Sequence, residues 1–474
     1  MAVLALAALI LAVSGRRARK VRRGEAVATD TPGQAEAGSP TRNDSESVPQ
    51  QETVAFLAAL GKAMVDSGDP VTHIQDTLRR VAETNGVSAT GIVVLPTALI
   101  VSLPGEREVL TSVTVAGVSP LRLDQVDAVY AVADSAARGR LGPREGLSAL
   151  QAASTSSAPF STPATVVGHV VLTVGLAIIL GGKAIDLAVA AVLGAAVGLA
   201  RVATRRVTFA YQVFVPVLSA FVVATVVFLL PRTGLDVGVL APLIAPLVMF
   251  LPGALLTTSV IELATGQMVS GASRLVAGLM QLTLLALGIL VAAQLVGTPA
   301  IQVSGADSST LNDLAPWLGV AVFGVGVVVH RCARRRAAGW ILLVLYVAYA
   351  GQVLGGFLLG GALSAFTGAL LMTPVAVYVA TLPSGPATMV SFLPAFWLLV
   401  PGALGLVGLT QVLGPSRVSG FESLLTTGAA MIGIAFGVLL GLAAATGLES
   451  LARLGPRGRY AGQGTTAGQA RVGR

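Results

Sequence analysis

Few side chains in this 474-residue chain are suited to chemistry. Most of them lie in or beside long apolar runs: His169, Asp186, Asp236, Glu262, Arg274 and His330. Charge inside a lipid-facing segment is expensive, so such residues are usually functional, although those at the ends of a run can simply reach water. Glu262 is the most informative. It follows a Pro252-Gly253 pair and precedes Arg274, a candidate charge partner. A carboxylate in that setting can load and release a proton as its surroundings open and close. His169 lies inside the first long run and reads as an interior-facing, protonatable group. Thr257 and Thr258, just beyond Pro252, offer hydroxyls to a small polar solute, or back-bond within their own helix.

Catalysis is not indicated. Asp69, His73 and Asp76 fall at helical i, i+4 and i+7 spacing, which would suit a metal or a hydrolase. Three such residues on an amphipathic helix are commonplace. The sequence has no Gly-x-Ser-x-Gly elbow, phosphate loop or Cys/His metal spacing to accompany them. His73 therefore reads as a surface or cap histidine, and the sequence implies no enzyme, no metal and no cofactor.

The element that must position these groups occurs twice. Proline removes a backbone donor and glycine tolerates unusual φ, so Pro252-Gly253 should interrupt its helix. The freed backbone groups must face protein or a water-filled cavity. Pro242 and Pro246 lie in the same run, and a later run carries Pro394 and Pro401-Gly402. Pro252 and Pro401, Gly253 and Gly402, Ser270 and Ser419, and Gly288 and Gly437 all pair at one offset, 149. An internal repeat of this kind sets the architecture. Glu262 pairs with Gln411, so the halves are chemically unequal. A duplicated Gly/Pro break points to a transport site, with a simple proline kink as the plainer alternative. On the first reading Pro252, Gly253, Thr257, Thr258, Pro401 and Gly402 bind substrate. Glu262 and His169 couple it to protons, and Arg274 is the charge partner.

Composition places the chain in a membrane. It is 54% hydrophobic and 11% charged, with mean hydropathy +0.81, against about 25% charged in a soluble domain. The net charge of +8 is carried almost wholly by arginine and reads as loop and tail charge rather than a nucleic-acid surface. Cys332, the single cysteine, can form no internal disulfide. Ten apolar spans are expected at roughly 164–182, 185–201, 212–231, 236–258, 271–295, 314–331, 339–357, 359–380, 387–409 and 421–446. Arg201, Arg205, Arg206, Arg274, Arg331, Arg334, Arg335 and Arg336 then gather on the side of both termini, which should be cytoplasmic. Five spans per half is odd, so the halves should sit in opposite orientations. The expected fold is a mainly α polytopic protein of the cell (plasma or inner) membrane, with ten transmembrane helices as a 5+5 inverted repeat.

Residues 1–51 read as a disordered tail and linker, the apolar start being too short to span, and 447–474 as a basic disordered tail. The two repeats occupy 164–295 and 314–446. Residues 52–155 read as a small cytoplasmic α+β domain of order α-α-β-β-β-α-α, with strands near 89–94, 98–103 and 109–115. Val54, Leu57, Leu60, Met64 and Val65 form one helical face. Asp69 should cap the second helix, with Pro70 at its first position.

The span 52–446 resembles the threonine/serine exporter family, which joins a cytoplasmic N-terminal domain to ten transmembrane helices. The resemblance rests on Leu57-Ala58-Ala59-Leu60-Gly61 through Gly68, the helix from Ile74 to Val81, and Val94-Leu95-Pro96-Thr97. It rests also on Leu251-Pro252-Gly253 followed by Glu262, Gly266, Ser270-Gly271 and Arg274, and on Leu399-Val400-Pro401-Gly402 in the second half. It implies an acidic residue at 262, usually aspartate, where this chain has glutamate. The implied activity is export of threonine and serine driven by the proton motive force, by proton antiport. Export of small dicarboxylates such as succinate is the alternative that split relatives suggest. Two readings of other classes are a membrane-embedded hydrolase, which lacks a nucleophile–base pair here, and a ligand sensor, for which ten spans are excessive. The expected partners are a small amino acid, protons and the lipid bilayer, not nucleic acid; a homo-oligomer is left open.

Overall fold

Apolar residues at helical spacing build the first element. In α1 (Asp44–Asp66), Phe56, Leu57, Leu60 and Met64 are fully buried, the face that a three-to-four-residue period produces. Gly68, at φ +83°, turns the chain out of it. Next, α2 (Val71–Thr84) buries Ile74, Leu78 and Val81 and stops at Asn85-Gly86. The computed structural model describes residues 44–87, 91–104, 109–117, 120–205, 214–297, 314–399, 405–409, 411 and 417–454.

Three strands follow: β1 (Gly91–Val94), β2 (Ala98–Pro104) and β3 (Val109–Val115). They form an antiparallel sheet of order β1-β2-β3, with Ile100 opposite both Val93 and Val113. Leu99, Val101 and Leu103 alternate onto one face and join the core of α1 and α2. With α3 (Leu123–Ala137) and α4 (Pro143–Thr155) they complete an N-terminal module. One local expectation is corrected. The second helix begins at Val71 with Pro70 in the cap position, and the Asp69 side chain does not cap it; its carboxylate turns to His73 instead, 2.7 Å away.

Beyond α4 come α5 (Thr162–Ile179), α6 (Ala184–Thr204), α7 (Phe214–Leu229), α8 (Leu240–Ile244), α9 (Gly253–Ala264) and α10 (Met268–Val296). They are followed by α11 (Ala315–His330), α12 (Ala338–Leu359), α13 (Gly361–Thr381), α14 (Thr388–Leu399) and α15 (Arg417–Leu454). Seven of the described helices are long and apolar enough to cross a bilayer. The number is eight if α8, the 3-10 turn Ala245–Phe250 and α9 are one span bent by 60°. Against ten expected spans, α11 and α14 are apolar but shorter. Large apolar side chains such as Val192, Val276, Leu287 and Phe357 lie exposed on the outer faces, as contact with lipid requires.

The tightest crossing joins α5 to α11. A Cβ on Gly175 would stand 2.2 Å from the backbone nitrogen of Phe323, and one on Gly326 would stand 2.2 Å from that of Leu172. Small residues let two helices approach to backbone contact, and this approach sets His169 beside His330.

Candidate functional site

The break forms where the prolines place it. Pro242 and Pro246 withdraw two donors from α8 and the turn after it, and the chain runs extended through Leu251 before α9 starts at Gly253. Two freed carbonyls find side-chain partners. Pro246 O lies 3.3 Å from His169 Nε2, and Phe250 O accepts from Gln281 Nε2 at 2.6 Å. Leu251, Pro252 and Gly253 are buried. Helix α9 packs against α14. Thr257 and Thr258 are buried on α9, and Thr257 Oγ1 has no hydrogen-bond partner, as is true of Ser391 Oγ on α14. Pro401 and Gly402 lie outside the described residues.

A cavity of about 650 Å³ reaches this break. It lies where α5 and α7 begin and α6 and α11 end, under the segment that leads into α3, and Phe250 forms part of its wall. Arg122, Arg201, Arg205, His330 and Arg331 also line it, and the described lining holds no aspartate or glutamate. Arg122 is already engaged by Asp124, 2.9 Å away. Arg201 lies over the Phe250 ring at 5.3 Å, and its Nη1 is buried without a partner. Arg331 gives Nη2 to Leu121 O at 3.1 Å and lies over Trp397, while its Nε is buried and unpartnered. His330 Nδ1 meets Thr165 O at 2.9 Å, and the His169 and His330 rings are 4.8 Å apart. This is a site for an anionic group beside a histidine pair.

Glu262 lies elsewhere. It is fully buried; Oε1 accepts the backbone N–H of Val71 at 3.1 Å and Oε2 the hydroxyl of Ser270 at 2.8 Å. Arg274 Nε is 3.3 Å from Oε2, and Arg274 Nη2 donates to Asp69 O at 3.1 Å. The expected pairing of Glu262 with Arg274 is therefore present, and both residues fasten the start of α2. Asp127 of α3 makes a second attachment. It accepts the backbone N–H of Ala387 at 3.1 Å, just before α14, and meets Arg334 and Arg336 at 3.0 and 3.2 Å. The N-terminal module is thus tied to both halves of the helical region.

His73 is half-exposed on α2, stacked on the partly buried Tyr130 ring. The Asp69 carboxylate raises its imidazole pKa above the ordinary 6.5. Burial, reinforced by Asp69, pushes the Tyr130 phenol well above its usual range. Sequence reasoning assigned Arg201, Arg205 and Arg331 to topology alone and gave His330 no role. Their position at helix ends flanking the break is the signal that would have singled them out.

No curated protein and no solved structure matches the chain. A family model does: ThrE, described as "Putative threonine/serine exporter", over residues 55–296. That stretch takes in most of α1, the rest of the N-terminal module, the break, the Glu262–Arg274 pair and Arg201. Matched over more than half its length, the chain belongs to this family of exporters.

Proposed function

We propose that this protein is a secondary active exporter of small amino acids, threonine and serine, driven by the proton motive force. The observation that carries the reading is the cavity of about 650 Å³ between helix ends and the break, a volume typical of small-molecule sites. Arg201 and Arg331 supply a carboxylate site, and the unpartnered hydroxyl of Thr257 lies behind the break on α9. Thr258 is buried on the same helix, which begins at Pro252-Gly253, and of the broken span it is Phe250 that lines the cavity. Because the Glu262 carboxylate is occupied by Val71, Ser270 and Arg274, the proton step falls to His169 and His330.

Ten spans in a 5+5 inverted repeat fit this function. The packing partnerships recur in support of it: α7 lies on α10 as α13 lies on α15, and α5 on α6 as α11 on α12. Ser270 on α10 and Ser419 on α15 stand at the offset of 149 that relates Pro252 to Pro401. The arginine asymmetry puts both termini and the N-terminal module in the cytoplasm, where the module gates transport through its two attachments. A second reading, export of small dicarboxylates, draws on the cation-rich cavity lining.

Counterflow in proteoliposomes with labelled threonine, serine and succinate tests the proposal. Exchange of threonine and serine is expected. Exchange of succinate alone transfers the function to the second reading, and exchange of none overturns both.

A further inference from the structure

The cavity is well supplied with charge for a carboxylate and poorly supplied for an ammonium. The groups facing His330 come from several elements: His169 and the Thr165 carbonyl on α5, Arg201 and Arg205 on α6, Arg331 and Cys332 after α11, and Arg122, paired with Asp124, from the N-terminal module. A zwitterionic amino acid needs an acceptor for its ammonium in this cationic setting, and the hydrogen-bond pattern of the two histidines provides one.

A carbonyl oxygen only accepts. His330 Nδ1, 2.9 Å from Thr165 O, must therefore carry the hydrogen of that bond, and in the neutral ring Nε2 is left as a lone pair. His169 is held the other way round. Its Nε2, 3.3 Å from Pro246 O, carries the hydrogen, and Nδ1 is an acceptor buried without a partner. Two rings 4.8 Å apart thus each have one nitrogen fixed by the backbone and one free to accept. His330 is the ring that lines the cavity, and His169 is fully buried behind it.

Resting on the export reading above, we propose that an α-amino acid binds with its carboxylate on Arg201 and Arg331 and its ammonium on Nε2 of neutral His330. A proton competes with the ammonium for that nitrogen. The substrate carboxylate offsets the guanidinium charge, which allows a cation to sit among the arginines. When a proton takes the lone pair, imidazolium replaces ammonium, the two cations repel, and the amino acid leaves. One proton is exchanged for one ammonium, which is antiport at a single site. His169 orients His330 and is a positioning residue.

The test is equilibrium binding to the full-length protein in detergent, with labelled L-threonine and its des-amino analogue 3-hydroxybutyrate. Moving from about pH 8 to about pH 5.5 should weaken threonine binding about tenfold and leave 3-hydroxybutyrate unweakened. His330→Gln accepts from an ammonium but takes no proton, so its threonine affinity should be flat with pH. Arg201→Gln should weaken both ligands. Threonine binding by the unaltered protein that does not weaken on acidification overturns the proposal, as does a wild-type pH dependence in His330→Gln. The comparison of the two ligands needs no variant, so a misfolded variant does not shelter the idea. If threonine exchanges in proteoliposomes yet the pH signature is missing, this inference falls alone; if threonine neither binds nor exchanges, the export reading falls with it.

Discussion

The carboxylate of Glu262 accepts the backbone N–H of Val71 across 191 residues of sequence, at 3.1 Å and out of contact with solvent. A side chain near the C-terminal end of α9 thereby caps the N-terminus of α2. The negative charge meets the positive end of the α2 dipole, and Arg274 balances it. The start of α2 is therefore bonded to both α9 and α10.

Removing one member of this pair should do more harm than removing both. Glu262→Ala strands the Arg274 guanidinium and leaves Val71 without its acceptor, a loss of about 3–5 kcal/mol. Glu262→Ala combined with Arg274→Met should cost markedly less than the sum of the single changes. Unfolding in detergent, read as a double-mutant cycle, checks this. Strict additivity would dissolve the pair as an energetic unit.

The two attachments should be separable. Asp127→Ala releases the start of α14, whereas Glu262→Ala releases the start of α2. Hydrogen exchange is expected to rise at the Ala387 amide in the first variant and at the Val71 amide in the second, each leaving the other site protected. Rises at both amides in both variants would mean that the module is held by something other than these two carboxylates.

The α5–α11 crossing tolerates no side chain. Gly326→Ala places a methyl group against the Leu172 backbone and should cost about 1–3 kcal/mol or more. Gly339→Ala, on α12, meets nothing within 4 Å and should be neutral or stabilising by about 0.5–1 kcal/mol. The contrast is read from paired melting curves, and equal shifts would refute the close approach that sets His169 beside His330.

His73 should give the N-terminal module a pH signature. Its pKa is raised in the folded protein, chiefly by Asp69. The pair therefore stabilises fully below the ordinary value of 6.5, and that stability fades as pH rises through the folded pKa. The His73→Gln variant should melt below the unaltered protein at about pH 5.5, with the gap closing at about pH 8.5. With 48% of the side chain exposed, the gap is small. A gap that widens at alkaline pH would reverse the sign of the interaction.

Much of this architecture is local and was legible. The period of Leu57, Leu60 and Met64, the alternation in β2 and the turn at Asn85-Gly86 each depend on neighbours in sequence. The break at Pro252 follows from the chemistry of proline and glycine. Continuous apolar character hid other features. The run read as the sixth span holds a helix of only 16 residues, because hydropathy does not register where a backbone stops being helical. Asp69 looked like the cap of α2, but the carboxylate that caps it comes from 191 residues away. Arg201, His330 and Arg331 were likewise invisible as a site. Arg201 ends α6 whereas His330 and Arg331 end α11, and only the packing of the helices brings the two ends to one wall.

The central claim is that the cavity at the break exchanges amino acid for proton. Efflux of labelled threonine from proteoliposomes, with and without an acidic external buffer, tests it most directly. The account predicts efflux that accelerates several-fold when the outside is made acidic, and loses that acceleration in His330→Gln while retaining exchange at equal pH. Efflux no faster than from protein-free liposomes, or equally fast with and without the gradient, would contradict it.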